Sequence, residues 1–402
     1  MGIDISDVIS WDDIVFIDCE TRSYAHPDDP GSDITKTTAQ RYGRTAFPII
    51  ITWAFGLDGE IKRWVWEDFD NPPAASDLPQ ELRDWDGFFA AWNSGFDRAV
   101  LDKYLKAGIH GWLDMMAHAA YNNLPLGLDR AAKACGLPGK VSLSKKIMTM
   151  FCASDGEGRP DTHRELWDKF CVYADGDVEQ MQGVAAATFP VPYAIWEQFW
   201  VSEAINDRGL PIDVTMAQGG AVLAAEYGER SNARIAEITD GALFSIRQYQ
   251  AQRSWVWERL QKCPFKAEMV EASRILEDGT EEFKLSMDRQ VIIKLIAGLT
   301  QRDEEYGLTD DEFAALQLLE EREYGASAAP AKFQKMLNME IDGRIPGQYV
   351  FSGATQTGRF SSRGVQTHNM TRSTVGKIER EEDVALFMID VGEAEELRTC
   401  RT

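Results

Sequence analysis

Apolar residues in the first part of the chain occur in the short runs that are typical of β-strands. Such runs occupy residues 14–20, 47–57 and 61–67, and the turn-forming sequence "DGE" separates the last two. These last two runs therefore predict a β-hairpin. A fourth run, "GFFAAWN" at residues 87–93, predicts one more strand.

The pattern becomes helical from about residue 96. Apolar positions then follow helical spacing in several segments, and the longest predicted helix begins near residue 164 and ends near Pro190. Strands followed by helices predict a mixed α/β domain over residues 1–190.

The chain changes character after the α/β domain. Residues 191–344 have mostly helical periodicity and few strand signals, whereas glycine, serine and threonine become more frequent within residues 345–402. We therefore predict three regions, namely an α/β domain at 1–190, a mainly helical region at 191–344 and a smaller α+β region at 345–402.

The charge balance limits the classes of partner. The 402 residues include 65 acidic and 42 basic side chains, which gives a formal net charge of -23. Such a chain is not expected to bind nucleic acid or anionic membranes over its whole surface. A local basic surface remains compatible with this charge, and the many carboxylates suit sites for divalent cations.

Cysteine usage and hydropathy predict the compartment. The six cysteines form no CxxC pair and the five histidines are scattered, so neither a zinc site nor a disulfide framework is indicated. The acidic N-terminal sequence has no apolar signal region, and the longest apolar runs are too short to span a bilayer. The sequence predicts a soluble protein of a reducing cytoplasm with no membrane contact.

The first predicted strand begins with the apolar run "IVFI". Two carboxylates, Asp18 and Glu20, come after this run. At positions i and i+2 of a strand, both side chains point to the same face. A buried charge is costly unless something pairs with it, so this pair needs a counter-ion.

Two further motifs could complete a site. Asp97 ends "WNSGFD", at a predicted junction of strand and helix, and Tyr173 and Asp177 lie one helical turn apart in "YADGD". Each motif alone is more often structural, as a helix N-terminal turn or a solvated helix face. Together, four converging carboxylates would select Mg²⁺ or Mn²⁺, and two such ions hydrolyse phosphodiesters in known enzymes.

These motifs resemble those of the DnaQ-like, DEDDy 3′–5′ exonucleases, and residues 112–137 resemble the proofreading domain of family A DNA polymerases. The resemblance implies an RNase H-like mixed sheet with flanking helices and two divalent ions. One departure is Trp92, where many relatives have His. The family's functional residues fall on the metal ligands Asp18, Glu20, Asp97 and Asp177 and the water-orienting Tyr173.

A window free of acidic residues spans residues 343–378. At the average acidic content, 65 of 402 residues, about six would be expected in these 36 positions. The window carries five cations, which predicts a surface for phosphate. These cations are Arg344, Arg359, Arg363, Arg372 and Lys377.

"TGRFSSRGVQTHNM" within this window resembles the "TGRxSS" segment of phage-type family A polymerases, and "NDRGLPID" at 206–213 resembles the start of their polymerase region. The resemblance implies a thumb at 191–344, a partial palm at 345–402 and primer–template contacts. His368 and Thr371 depart from the common form, which has Gln and often Pro. The implied DNA-binding residues are Asn93, Arg359, Ser361, Ser362, Arg363 and Asn369.

The segment "ALFMIDVGEAEE" resembles the polymerase motif A. The resemblance implies that Asp390 is a possible polymerase metal ligand and that Glu395 is a steric gate against ribonucleotides. Neighbouring residues depart from the usual pattern, and an acidic solvated tail is an equally weighted alternative.

The favoured function is a metal-dependent 3′–5′ proofreading exonuclease within a split or truncated phage-type family A DNA polymerase. Its expected partners are single-stranded 3′ ends, primer–template DNA and a second polypeptide that supplies fingers and remaining palm for nucleotide addition. The expected location is the bacterial host cytoplasm if a phage encodes the chain. The alternative is a non-catalytic DNA-binding or scaffolding subunit that retains the exonuclease fold.

Overall fold

A computed structural model describes residues 7–139, 143–275, 281–325, 331–354 and 356–369. The motif A-like residues Asp390 and Glu395 lie outside this range. The described residues form two compact units, one from Met1–Val214 with Lys335–Thr371 and the other from Thr215–Gln334. The predicted boundaries at residues 190 and 344 stay a prediction.

The first unit contains most of the strands. Its elements up to residue 211 are, in chain order, β1 (Ile14–Ser23), α1 (Ala39–Gly43), β2 (Ala46–Phe55), β3 (Lys62–Val65), α2 (Gln80–Arg83), β4 (Phe88–Ala91), α3 (Gly95–Leu105), β5 (Trp112–Asp114), α4 (Met115–Tyr121), α5 (Leu128–Ala134), α6 (Lys145–Cys152), α7 (Arg164–Ala186), α8 (Tyr193–Arg208) and β6 (Leu210–Pro211).

The remainder of the chain is mostly helical up to residue 339 and then forms short strands. These elements are α9 (Val214–Ile238), α10 (Tyr249–Arg259), β7 (Val270–Ile275), β8 (Glu281–Leu285), α11 (Arg289–Tyr306), α12 (Asp310–Gly325), α13 (Ala331–Met339), β9 (Arg344–Ile345), β10 (Tyr349–Ala354) and β11 (Arg359–Ser362).

Five strands form one mixed sheet in the order β3-β2-β1-β4-β5. The central strand β1 is antiparallel to β2 and parallel to β4, and β2 and β3 form an antiparallel pair. The predicted hairpin and the predicted mixed α/β class are therefore confirmed. The assignment of this α/β region to the exonuclease fold stays a prediction.

The apolar start of β1 is buried on both faces of the sheet. Val15 and Ile17 belong to one hydrophobic cluster, whereas Ile14 and Phe16 belong to another. All four are at most 2% exposed. A strand covered on both faces needs a continuous apolar run, which is why this segment does not alternate with polar residues.

The second unit has its own core. Leu295 and Leu299 of α11 pack with Leu318 and Leu319 of α12, and all four are 0% exposed. Strands β7 and β8 form an antiparallel pair that the sequence analysis missed. Asp278-Gly279, between the two strands, is the turn signal that could have indicated a hairpin.

The short strands near the C-terminal end of the described range belong to the first unit. β9 pairs with β6, and β10, with the sequence "YVFSGA", pairs with β11. Among the helices in the described ranges, none is both long and apolar enough to cross a bilayer.

Candidate active site

The polar end of β1 faces helix α7. Asp18 and Glu20 share the strand parity of Phe16, which packs in the same cluster as Val178 and Met181 of α7. The alternation of side chains along β1 therefore directs both carboxylates toward α7.

A buried hydroxyl fixes α7 against the sheet. Thr52 lies directly opposite Asp18 on β2 and is 0% exposed. Its hydroxyl donates a hydrogen bond of 3.3 Å to the carbonyl oxygen of Ala174. This bond holds the middle of α7 beside the carboxylates of β1.

Three predicted metal ligands meet at this position. Asp18, Glu20 and Asp177 each place one carboxylate oxygen within 4.8 Å of the others, and all three side chains are half-buried. Carboxylates this close repel one another when ionised. Hard divalent cations such as Mg²⁺ and Mn²⁺ take carboxylate oxygens as ligands, so these three residues fit the predicted ions.

A hydrogen bond connects Asp97 to the backbone of β1 between Asp18 and Glu20. Asp97 lies in the first turn of α3, is 2% exposed, and accepts a 3.1 Å hydrogen bond from the Cys19 backbone N–H. Among the described residues, Asp97 is not within the three-acid group. Burial, with the charge of Glu20, raises the pKa of Asp97 to about 7, although the hydrogen bonds from Cys19 oppose this rise.

Tyr173 lies on α7, one turn before Asp177, as predicted. Its side chain is half-buried, and its ring is tilted against that of Phe170 with 6.5 Å between centroids. The helix therefore presents a phenol and a carboxylate on the same face. The water-orienting role of Tyr173 stays a prediction.

Asn93 occupies a tight turn between β4 and α3. Its backbone is left-handed, with φ of 62°, a conformation that Asn tolerates better than most residues. Its N–H donates a 2.8 Å hydrogen bond to Asp114 Oδ1, which also accepts from the Met116 N–H. Burial raises the pKa of Asp114 to about 6, and the charge of Glu203 adds to this effect.

Asp114 was not predicted from the sequence. It caps the N-terminus of α4 and anchors the Asn93 turn from a separate strand. An Asp directly before the helical segment "MMAHAAY" is a typical N-cap signal, which indicates the capping function. The bond to Asn93 had no signal in the sequence.

Two cations of the acid-free window serve internal hydrogen bonds. Arg363 donates to Asn93 Oδ1 over 3.1 Å and to the Gly347 carbonyl oxygen over 3.0 Å. Arg344 donates to the carbonyl oxygens of Arg208 and Gly209, at the C-terminal end of α8. These contacts reduce the number of guanidinium donors that the window can offer to phosphate.

The other predicted DNA-binding residues lie at or near the surface. Arg359 is exposed on β11 beside Phe360, Ser361 and Ser362 are half-buried, and Asn369 is exposed in a 3-10 turn. Their contacts with DNA stay a prediction. Arg372 and Lys377 lie outside the described range.

A buried ion-pair network, also missed from the sequence, links α3 to α8. Arg98 is 8% exposed and donates to Glu203 Oε2 over 2.9 Å and to Asp207 Oδ2 over 2.7 Å. Removing one partner of a buried pair leaves an uncompensated charge, which costs several kcal/mol. The network therefore fixes α3, on which Asp97 immediately precedes Arg98.

Arg22, further along β1, fixes the segment that borders the acid group. Its guanidinium donates to the carbonyl oxygens of Phe151, Ser154 and Gly156 over 2.9–3.0 Å. Cys152 is thereby held with its Sγ 4.0 Å from Glu20 Oε2. Burial raises the pKa of the Cys152 thiol well above its ordinary value, so the thiol is neutral.

Comparison with known proteins gives one clear relative. No protein-family model matches the chain. Over 306 residues it is 25% identical to a DNA polymerase of Bacillus phage SP02, and the match covers 71% of this chain and 41% of that protein. The chain is homologous to a phage DNA polymerase. This confirms the resemblance to phage polymerases, although the chain spans less than half the length of this relative.

A solved structure shows a weaker likeness. The chain resembles the POL domain of Pol1 from M. smegmatis, determined in complex with DNA primer-template and dNTP. The identity is 14% and the TM-score is 0.38, and the match covers 83% of this chain and 51% of that domain.

Proposed function

We propose that this chain is a metal-dependent 3′–5′ exonuclease of the DEDDy type within a phage-type family A DNA polymerase. The observation that supports this proposal best is the convergence of Asp18, Glu20 and Asp177 within 4.8 Å. They come from two separated segments, in the order that the resemblance requires. Homology to a phage DNA polymerase supplies a setting in which such a nuclease would remove mispaired 3′ ends.

The carboxylates would hold two divalent cations, Mg²⁺ or Mn²⁺. When bound, such ions lower the pKa of a coordinated water and stabilise the leaving oxygen of a phosphodiester. Asp18 and Glu20 contribute from a strand and Asp177 from a helix, so the ligands are held on rigid elements. Asp97 contributes a fourth carboxylate beside Cys19, and its raised pKa indicates how unfavourable its charge is in this buried position.

Tyr173 would position the attacking water. Its hydroxyl can accept a hydrogen bond from a water molecule or donate one to it. The helix places this hydroxyl one turn from Asp177. The half-buried ring, packed against Phe170, limits the directions in which the hydroxyl can point.

Arg359, the exposed cation among the described residues of the acid-free window, would contact primer–template DNA. Arg359 and Phe360 are exposed together on β11, which offers a guanidinium for phosphate and a ring for stacking. Nucleotide addition, the metal ligand Asp390, the steric gate Glu395 and a second polypeptide stay predictions.

A nuclease assay tests the proposed function. A 5′-labelled single-stranded oligonucleotide with Mg²⁺ should be shortened stepwise from its 3′ end, and EDTA should stop the reaction. Asp177→Asn should lower the rate at least about a hundredfold, in the range of single catalytic groups. Asp175→Asn is a matched control on the same helix, because Asp175 instead pairs with Arg63 over 3.2 Å.

The control should keep its rate within a few-fold of the unmodified chain. Undiminished activity of a folded Asp177→Asn protein would contradict the proposal. DNA binding without any metal-dependent cleavage would instead favour the non-catalytic subunit.

A further inference from the structure

A cavity of about 320 Å³ lies within the second unit, at the lower end of the roughly 300–1,000 Å³ typical of ligand pockets. Residues of α10, β7, β8 and α12 line it, together with the segment between β8 and α11. Its charged lining residues are three cations and two carboxylates, although the whole chain has a net charge of -23. These residues are Arg253, Lys284, Arg322, Glu271 and Asp288.

Arg322 is the most buried of these cations, at 8% exposure. Its Nη1 donates a 2.6 Å hydrogen bond to Gln252 Oε1, and its guanidinium lies 4.4 Å from the centroid of the Tyr249 ring. Gln252 itself is fixed, because its amide nitrogen donates to the Ser245 carbonyl oxygen. The guanidinium is therefore held in place before any ligand binds.

Arg253 is fixed in a similar way. Its Nη1 donates a 2.8 Å hydrogen bond to the Leu285 carbonyl oxygen. The Nε atoms of both Arg253 and Arg322 are buried and have no hydrogen-bond partner within the described ranges. Two guanidinium groups, each fixed by a hydrogen bond to a protein oxygen, therefore line one cavity.

Neither arginine has a carboxylate partner among the residues that the structure describes. Two other buried or half-buried arginines differ in this respect, since Arg98 pairs with Glu203 and Arg302 pairs with Glu312 over 3.0 Å. A guanidinium that is removed from water without a counter-charge is costly. Arg22 also lacks a carboxylate partner but donates to three carbonyl oxygens, whereas Arg253 and Arg322 each make one hydrogen bond to the described residues, so an anion in the cavity would add the partners they lack.

The two carboxylates at the cavity are already engaged. Glu271 pairs with Lys284 over 2.9 Å. Asp288 caps α11 and accepts hydrogen bonds from the backbone N–H groups of Gln290 and Val291. Neither carboxylate forms an ion pair with either guanidinium group among the described residues, and the charged lining keeps an excess of one positive charge.

We propose that this cavity binds a phosphate group, with Arg253 and Arg322 as its ligands and Lys284 at its edge. Guanidinium groups bind phosphate oxygens through paired, charge-assisted hydrogen bonds, which suits a cavity lined by two arginines and a lysine. The phosphate belongs either to a small soluble compound or to a DNA backbone. This assignment does not depend on the exonuclease chemistry of the first unit.

Two binding measurements on the full chain test the proposal. In the first, equilibrium dialysis with radiolabelled inorganic phosphate is performed in low-chloride buffer. In the second, binding of a 20-base-pair duplex is measured over a series of salt concentrations. Each compares the unmodified chain with Arg322→Gln, Arg253→Gln and the control Arg259→Gln, since Arg259 stacks on Trp255 and pairs with Asp311 instead.

The unmodified chain and the control should bind one phosphate, and both cavity variants should bind it at least tenfold more weakly. Loss of phosphate binding with unchanged duplex binding supports a small phosphorylated ligand. A weaker duplex affinity, with a salt slope smaller by about one, supports a backbone phosphate. If Arg322→Gln fails to fold, the phosphate binding of Arg253→Gln decides the test, because Arg253 is only half-buried. Folded cavity variants that match the control in both assays would overturn the proposal.

Discussion

Arg363 Nη1 donates a hydrogen bond of 3.1 Å to the side-chain oxygen of Asn93. The bond joins the acid-free window to the turn that precedes α3, where Asp97 lies in the first helical turn. Both residues were predicted to contact DNA. Their mutual bond gives each a structural role, because a half-buried guanidinium and amide satisfy each other.

A double-mutant cycle should detect this bond as a coupling free energy. Asn93→Gly removes the side chain without straining the left-handed backbone, and Arg363→Ala removes the donor. We expect the double variant to be more stable than additivity predicts, by about 1 kcal/mol in urea unfolding. Arg359→Ala, at an exposed site, should change the unfolding free energy by less than about 0.5 kcal/mol. Additive effects would show that the two side chains are not coupled.

Replacing Asp97 should separate catalysis from stability. Asp97→Asn keeps an oxygen that can accept the hydrogen bond from the Cys19 N–H. It removes the negative charge of a residue that is only 2% exposed. We expect exonuclease activity to be lost and the metal-free melting temperature to stay equal or rise, because a buried, repelled carboxylate is gone. A variant that melts normally and still degrades DNA at the original rate would remove Asp97 from the site.

Tyr173→Phe should reduce the rate of cleavage with little effect on metal affinity. The change removes only the hydroxyl and leaves the packing against Phe170 intact. The expected loss is about ten- to a thousand-fold in single-turnover rate. A Mn²⁺ titration of activity gives the metal affinity, which should be nearly unchanged. An unchanged rate would make Tyr173 a packing residue.

Charge reversal at Arg359 should weaken duplex binding. Arg359→Glu places a negative charge on the exposed part of β11, so the affinity for a primer–template duplex should fall several-fold. Loss of one phosphate contact should reduce the salt slope by about 0.9. Arg130→Glu, at another exposed site, is the charge-matched control. Cleavage of a short single strand should be nearly unchanged, and a parallel loss of both activities would contradict the separate roles assigned to these surfaces.

His118 should make stability depend on acidity. It is 1% exposed, and burial lowers its pKa from 6.5 to about 4. Between these two pKa values His118 is protonated in the unfolded chain but neutral in the folded chain. The free energy of unfolding is therefore highest above pH 6.5 and falls as the pH drops toward 4. At 1.36 kcal/mol per pH unit, the loss amounts to about 3 kcal/mol.

Urea unfolding at pH 7, 5.5 and 4 measures this effect. His118→Gln cannot take up the proton, so its unfolding free energy should fall less steeply over this range than that of the unmodified chain. Parallel curves for the two proteins would assign the acid sensitivity to other groups.

Local periodicity was sufficient to predict the main parts of the candidate site. Asp18 and Glu20 follow a recognisable apolar strand, and Asp177 lies one turn after Tyr173 on a helix whose bounds the pattern indicated well. What places β1 beside α7 is long-range, since Phe16 packs against Val178 and Met181, and Thr52 of β2 donates to a carbonyl oxygen 122 residues away along the chain. Nothing in the residues near Thr52 indicates that acceptor.

The supporting residues were missed for the same reason. Arg98 finds its carboxylates more than 100 residues further on, and Arg22 finds carbonyl oxygens about 130 residues away. Backbone carbonyls carry no residue signature, so an arginine that binds them cannot be distinguished in sequence from one on the surface. In the acid-free window, the sequence likewise did not indicate that Arg344 and Arg363 bind protein atoms, and their predicted contacts with phosphate stay a prediction.

Helix α7 is a single element of 23 residues, about 35 Å long, that carries both Tyr173 and Asp177. Two of the hydrogen bonds that hold it are the one from Thr52 to Ala174 and the one from the Gln182 amide to the Gly56 carbonyl oxygen, over 2.8 Å. Any tilt of this helix therefore moves the Tyr173 phenol and the Asp177 carboxylate together. A change at the Gln182 contact, which lies apart from the acid group, should therefore alter metal affinity and cleavage rate together, whereas Tyr173→Phe should change the rate alone.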